Sequence, residues 1–284
     1  MSIAAITFWG CRSRKTCNTP QMLAFLASLG LLGVAWAGLR GGFAGSGPGL
    51  RRTGLDPNAV GLAAVAIAAA IWFFGWAFGI AFVLAVMLHE YGHVAAFRVC
   101  GHRDATFRLL PLVGGQAISS RLPSTHLEEV FISLMGPAIG LAPMLVLITG
   151  SDLIWDTAPR LAYAMQILAM VIAGLNAFNL MPFWPLDGGK ILRILVYTYL
   201  PGAAMGVTLA LSALAGALAI LTQSYFLFIF VLLGLSSLMQ SGDLIRLQRP
   251  MTRPRGLLAL GAYLATTAAY AMVALPLLAM LNLG

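Results

Sequence analysis

Charge is scarce in this chain. Of its 284 residues only 9% are Asp, Glu, Lys or Arg, against 60% that are hydrophobic. A water-soluble surface is excluded by that composition, and a mean hydropathy of +0.90 puts the chain among membrane proteins. Cysteine is rarer still. Cys11, Cys17 and Cys100 have neither C-x-x-C spacing nor an even count, so no disulfide framework is implied and they are assigned no function. Short alternating segments of about ten residues, the mark of a membrane barrel, are missing as well. No hydrophilic stretch is long enough for an inserted soluble domain, which takes about 50 residues or more, and no internal repeat is visible.

What the chain does have is long apolar runs. A hydrocarbon core of about 30 Å is crossed by roughly 20 apolar residues, and runs near that length occur at 22–39, 58–75, 77–99, 128–149, 160–181, 203–221, 223–240 and 257–282. The expected fold class is therefore all-α, a polytopic membrane protein with about eight transmembrane helices. As one helix, 57–99 would be about 65 Å long, more than a bilayer core accepts, so a break is expected near Gly75. The division expected is 1–76 as an N-terminal region, 77–200 as a central core and 201–284 as a C-terminal region.

The formal charge of +8 points to topology and not to nucleic acid, because the basic residues lie in links between apolar runs. Arg40, Arg51, Arg52, Arg98, Arg103, Arg108, Arg121, Lys190, Arg193, Arg246, Arg249, Arg253 and Arg255 fall on one side, taken as cytoplasmic. Arg12, Arg14, Lys15 and Arg160 fall opposite. The first three of these conflict with the rule that basic N-termini stay inside, and Ala35-Trp36-Ala37 also fits the cleavage site of a signal peptide over 1–37.

Two acidic residues, Glu90 and Asp187, sit in or beside apolar sequence. Such placement costs at least a few kcal/mol unless the group is paired or bound to metal, which marks both as functional candidates. Glu90 lies within His89-Glu90-Tyr91-Gly92-His93, an H-E-x-x-H pattern near the end of the third run. On a helix, i, i+4 spacing puts both imidazoles on one face, where they can take two corners of a zinc tetrahedron. Glu90, beside His89 in sequence, is placed to act as general base for a metal-activated water. A third ligand is then required. Asp187 is its candidate, following Asn179-Leu180-Met181-Pro182-Phe183-Trp184-Pro185-Leu186 and preceding Gly188-Gly189. The prolines should break the helix, and the glycine pair should permit unusual backbone angles, leaving Asp187 on irregular backbone. By the charge count both motifs reach the same membrane side.

Together these motifs resemble the site-2 protease family of intramembrane metalloproteases, in which an H-E-x-x-H helix and a later L-D-G motif, preceded by Asn and prolines, bind one zinc. The likeness covers roughly 77–200 and implies one Zn2+ per chain held by His89, His93 and Asp187, with Glu90 as acid/base. It further implies that the substrate is a membrane-spanning helix of another protein, cleaved in or near the bilayer. Softer matches name supporting residues: Asn179, Gly114 and Gly115 in a segment compatible with a hairpin or re-entrant loop, and Pro137 in Ser133-Leu134-Met135-Gly136-Pro137. Three residues after that proline members usually carry Asn, whereas this chain has Gly140. A catalytically silent substrate-holding relative and a metal-binding membrane transporter are the competing readings. Retention of Glu90 argues against the first, and the shortage of polar residues in the later spans against the second.

Overall fold

The elements start and stop where local chemistry dictates. A computed structural model of the chain describes residues 19–43, 57–110, 114–241 and 244–282. In chain order it contains α1 (Thr19–Phe43), α2 (Pro57–Val99), β1 (Thr106–Leu110), β2 (Gly114–Ile118), α3 (His126–Ile139), α4 (Leu141–Ile154), α5 (Pro159–Asn179), α6 (Asp187–Tyr199), α7 (Ala204–Leu221), α8 (Tyr225–Ser241), α9 (Leu244–Leu247) and α10 (Arg253–Asn282). Thr125 caps α3 by accepting a hydrogen bond from the Glu128 amide, which satisfies one of the orphan donors of a first turn. Pro159 opens α5, where its missing N–H is not needed.

The break expected near Gly75 is present. That residue has φ 76° and ψ 164° inside α2, a conformation that glycine alone adopts at little cost. Six segments are long and apolar enough to cross a membrane among the described residues: Thr19–Gly42, Gly75–Val99, His126–Ile154, Pro159–Asn179, Pro201–Leu221 and Arg253–Val273. The architecture is the all-α polytopic one expected, but with fewer qualifying spans than the eight apolar runs suggest. The run at 58–75 is the arm of α2 before the Gly75 bend. The run at 223–240 is α8, whose 17 residues span only about 26 Å. Helix α1 continues unbroken through Ala35-Trp36-Ala37. The outer surface is apolar, with Trp72 85% and Leu221 81% exposed, as lipid contact requires.

The core forms where α2, α3, α4, α5, α6 and α10 meet, around Ala85, Leu134, Met144, Ile172, Ile191 and Tyr270. Close packing of α2 on α3 needs small residues. A Cβ on Gly92 would run into the Met135 carbonyl, and one on Gly136 into the His93 ring. At Gly140 the span breaks into α3 and α4, one turn after Pro137.

The segment after α2 is a hairpin, one of the two forms expected. Strands β1 and β2 are antiparallel, with Thr106 opposite Ile118, Leu109 opposite Gly115 and Leu110 opposite Gly114. Its base is anchored by Asp104, which accepts from the Ser120 amide at 2.6 Å and from the Ser119 hydroxyl at 3.3 Å. Hydrogen bonds from Ser120, side chain before backbone, hold the Asp104 carboxyl down at about 2. The expected roles of Arg12, Arg14, Lys15, Arg51, Arg52, Cys11 and Cys17 lie outside the described residues.

Candidate metal centre

Helix α2 delivers His89 and His93 one turn apart, as their spacing requires, with ring centroids 4.7 Å apart and planes at 85°. Their Nε2 atoms are 3.1 Å apart. Asp187 Oδ2 is 3.2 Å from each of them. All three residues are at least nine-tenths buried, and their donor atoms form a group able to hold a metal ion.

The triangle has the size that zinc demands. Ligands about 2.0–2.1 Å from a tetrahedral centre are separated by about 3.3 Å along each edge, and the observed edges are 3.1, 3.2 and 3.2 Å.

Proton positions follow from the outer partners. His93 Nδ1 is 2.7 Å from the Ile132 carbonyl, which can only accept, so Nδ1 carries hydrogen. Asn176 donates through Nδ2 to the Ile172 carbonyl at 2.8 Å, turning its Oδ1 toward His89 Nδ1 at 2.8 Å. His89 Nδ1 therefore donates too. Both rings consequently present Nε2 lone pairs inward, toward each other and toward a carboxylate oxygen. One proton can serve only one edge of such a triangle, whereas a cation at its centre serves all three. Outer groups that fix the tautomer of a metal-ligating histidine are a general feature of metal sites.

Asp187 reaches the histidines by a different backbone from the one expected. It is not on irregular chain but in the first turn of α6, with Leu186 as N-cap, where the helix N-terminus favours a carboxylate. The irregular part is 180–186, which includes a cis Trp184–Pro185 bond. Gly188 and Gly189 also serve another purpose than the expected unusual angles, since neither has positive φ. A Cβ on Gly188 would strike the Leu180 carbonyl and one on Gly189 the Phe183 carbonyl. These glycines let α6 lie directly on the loop before it. Further clamps come from Tyr263, whose hydroxyl donates to the Leu180 carbonyl at 2.7 Å, and from Ser212, whose hydroxyl accepts from the Trp184 amide at 3.2 Å.

Glu90 is buried beside His89 and is not one of the three clustered donors. Asn179 is half-buried and donates to the Leu175 carbonyl of its own helix at 3.0 Å, so the asparagine that touches a ligand is Asn176, three residues earlier. Its signal in the sequence was a carboxamide inside an apolar helix, one that Gln166 and Asn179 of the same helix share. Pro137 is fully buried, and its carbonyl accepts from the Tyr270 hydroxyl at 2.6 Å. Gly114 and Gly115 pair with β1. Lys190, read from sequence only as a topological charge, lies with its ammonium 3.1 Å from Asp187 Oδ1. The i, i+3 spacing of Asp187 and Lys190 was the available clue.

Fold and centre together define a polytopic helical membrane protein with a buried His-His-Asp donor set. No family model matches the chain. It is similar to the zinc metalloprotease MJ0392 of Methanocaldococcus jannaschii, with 33% identity over 138 residues, 45% of this chain and 39% of that protein. It is also similar to the putative zinc metalloprotease sll0528 of a Synechocystis species, with 28% identity over 142 residues, 49% of this chain and 36% of that protein. The chain thus spans well under half the length of these curated relatives. Among solved structures, a site-2 protease from Methanocaldococcus jannaschii aligns with TM-score 0.44 and 24% identity, covering 63% of this chain and 87% of that one. The curated relatives support the likeness to zinc metalloproteases, and the two motifs make it a resemblance to the site-2 protease family.

Proposed function

We propose that this chain is an intramembrane zinc metalloprotease of the site-2 type, with a catalytic core in 77–200 and one zinc held by His89, His93 and Asp187. The observation that carries the reading is the convergence of two Nε2 lone pairs and Asp187 Oδ2 on one point, at zinc-like spacing. Bound there, zinc supplies Lewis-acid polarisation of a scissile carbonyl and lowers the pKa of a water. The remaining steps belong to side chains. Glu90 takes a proton from the water onto its carboxylate and returns it to the departing amine. Ile132 and Asn176 hold the two imidazoles in the ligating tautomer. Lys190 engages one carboxylate oxygen of Asp187 and leaves the other to the histidines.

The substrate is a membrane-spanning helix of another protein, met within the bilayer and cut near the cytoplasmic side of the cell membrane. A peptide bond inside a helix is shielded by its own hydrogen bonds, so the substrate must be held extended. The two-stranded β1–β2 sheet has outer edges on which such a segment can add as a strand. The direct test is cleavage of a transmembrane substrate by purified wild-type and Glu90→Gln protein, with metal analysis of both. Zinc should persist in the variant while hydrolysis falls by a factor of about 10² or more. Near-normal turnover by that variant would overturn the mechanism.

A further inference from the structure

We infer that Asn176 is a positioning residue for the ligand His89, and that Gly140 keeps open the recess in which its carboxamide sits. The inference rests on the metal-site reading.

Asn176 is 1% exposed and lies in the apolar helix α5. An amide buried there must have both ends satisfied. Its nitrogen donates to the Ile172 carbonyl one turn back. That bond orients the group, and the oxygen then accepts from His89 Nδ1. With Nδ1 committed as a donor, Nε2 is the nitrogen left to ligate.

The recess is made by the lack of a side chain at the break between α3 and α4. A Cβ on Gly140 would lie 2.9 Å from Asn176 Nδ2, 2.7 Å from the Tyr270 hydroxyl and 3.1 Å from Ile172 Cγ2. Gly140 has φ −74° and ψ −19°, ordinary helical values, so backbone freedom is not the reason for glycine here. Space is the reason. Nor can the neighbours yield easily. Tyr270 is fully buried and its hydroxyl is tied to the Pro137 carbonyl at 2.6 Å, while the Asn176 amide is bonded at both ends. A methyl group at position 140 must therefore displace the carboxamide, the tyrosine or the helix itself. The first of these breaks the bond to His89.

The experiment measures zinc affinity of the purified 284-residue chain by competition with a chelating indicator, without reference to proteolysis. Asn176→Ala should weaken zinc binding by about 10-fold to 100-fold, as loss of an outer partner does. Asn176→Asp keeps an acceptor for His89 Nδ1 but sets a carboxylate oxygen against the Ile172 carbonyl, so it should bind more weakly than wild type and more tightly than Asn176→Ala. Gly140→Ala should lose about as much as Asn176→Ala. The double variant Gly140→Ala/Asn176→Ala should be no worse than Asn176→Ala alone, because both changes remove one interaction. Equal loss in Asn176→Asp and Asn176→Ala would show a merely structural amide and overturn the positioning role. Multiplying losses in the double variant would overturn the assignment of Gly140. Wild-type affinity in Asn176→Ala would overturn the inference while leaving the metal site standing. Absence of zinc from the wild type would overturn the metal-site reading itself, and this inference with it.

Discussion

The Nε2 atoms of His89 and His93 stand 3.1 Å apart with their Nδ1 hydrogens committed to Asn176 and Ile132. Two lone pairs and a carboxylate oxygen then face one another in a buried space, an arrangement that is repulsive until a cation enters. Zinc should therefore stabilise the folded chain. At free zinc a hundredfold above the dissociation constant, the linkage is worth about 2.7 kcal/mol. Thermal unfolding in detergent should occur at a higher temperature with zinc than with a chelator, and His93→Ala should abolish the difference. An identical transition with and without zinc would contradict the site.

The three donors should not be interchangeable with bystanders. Asp187→Ala and His93→Ala should each lose zinc by elemental analysis, since three protein ligands are the number of a catalytic zinc site. Asn179→Ala should keep it, because the Asn179 carboxamide donates to the Leu175 carbonyl of its own helix and lies outside the donor group. Full zinc retention in Asp187→Ala would remove Asp187 from the ligand set.

Gly188 tests whether the approach of α6 to its preceding loop positions the carboxylate. Gly188→Ala puts a methyl group against the Leu180 carbonyl and should destabilise the fold by about 1–3 kcal/mol, with zinc affinity falling although no ligand is touched. Gly174→Ala is the control. Its Cβ meets nothing within 4 Å, and in a helix interior it should be neutral or stabilising by up to about 1 kcal/mol. If both variants behave alike, the close approach at α6 is not what holds Asp187.

The hairpin should matter to helical substrates and not to metal. Gln116→Pro removes a backbone N–H from β2, so cleavage of a transmembrane substrate should fall while zinc content is unchanged. Asp104→Ala should loosen the hairpin base, read as faster amide exchange across Thr106–Leu110. The sign of its pH dependence follows from the depressed Asp104 carboxyl: the anchoring is complete above the ordinary value of 3.8 and is lost as pH falls through about 2. Between pH 5 and 8, on either side of neutrality, exchange corrected for its intrinsic rate should therefore show no Asp104-dependent step.

Much of this protein was legible before any coordinates. Long apolar runs dictate helices, because in hydrocarbon each backbone polar group must be satisfied within its own segment. The i, i+4 spacing of His89 and His93 dictates a shared face, because helix geometry is local. An acid in apolar sequence declares itself by its desolvation penalty, which is how Glu90 and Asp187 stood out. That 57–99 must break followed from its length, and the structure puts the bend at Gly75.

What the tertiary structure decided is everything that depends on which segments meet. Asn179 and Asn176 look alike in sequence, and only the packing of α5 against α2 brings Asn176 to His89. Lys190 reads as a surface charge until α6 begins at Asp187 and turns both side chains to the same place. Gly188 and Gly189 read as positions of backbone freedom and Gly140 as a missing asparagine, yet each is there because another group occupies the volume of its missing Cβ. Spacing along a helix is set by backbone geometry that every sequence shares, whereas the partner of a buried amide or the neighbour of a glycine is set by long-range packing, which no local pattern encodes.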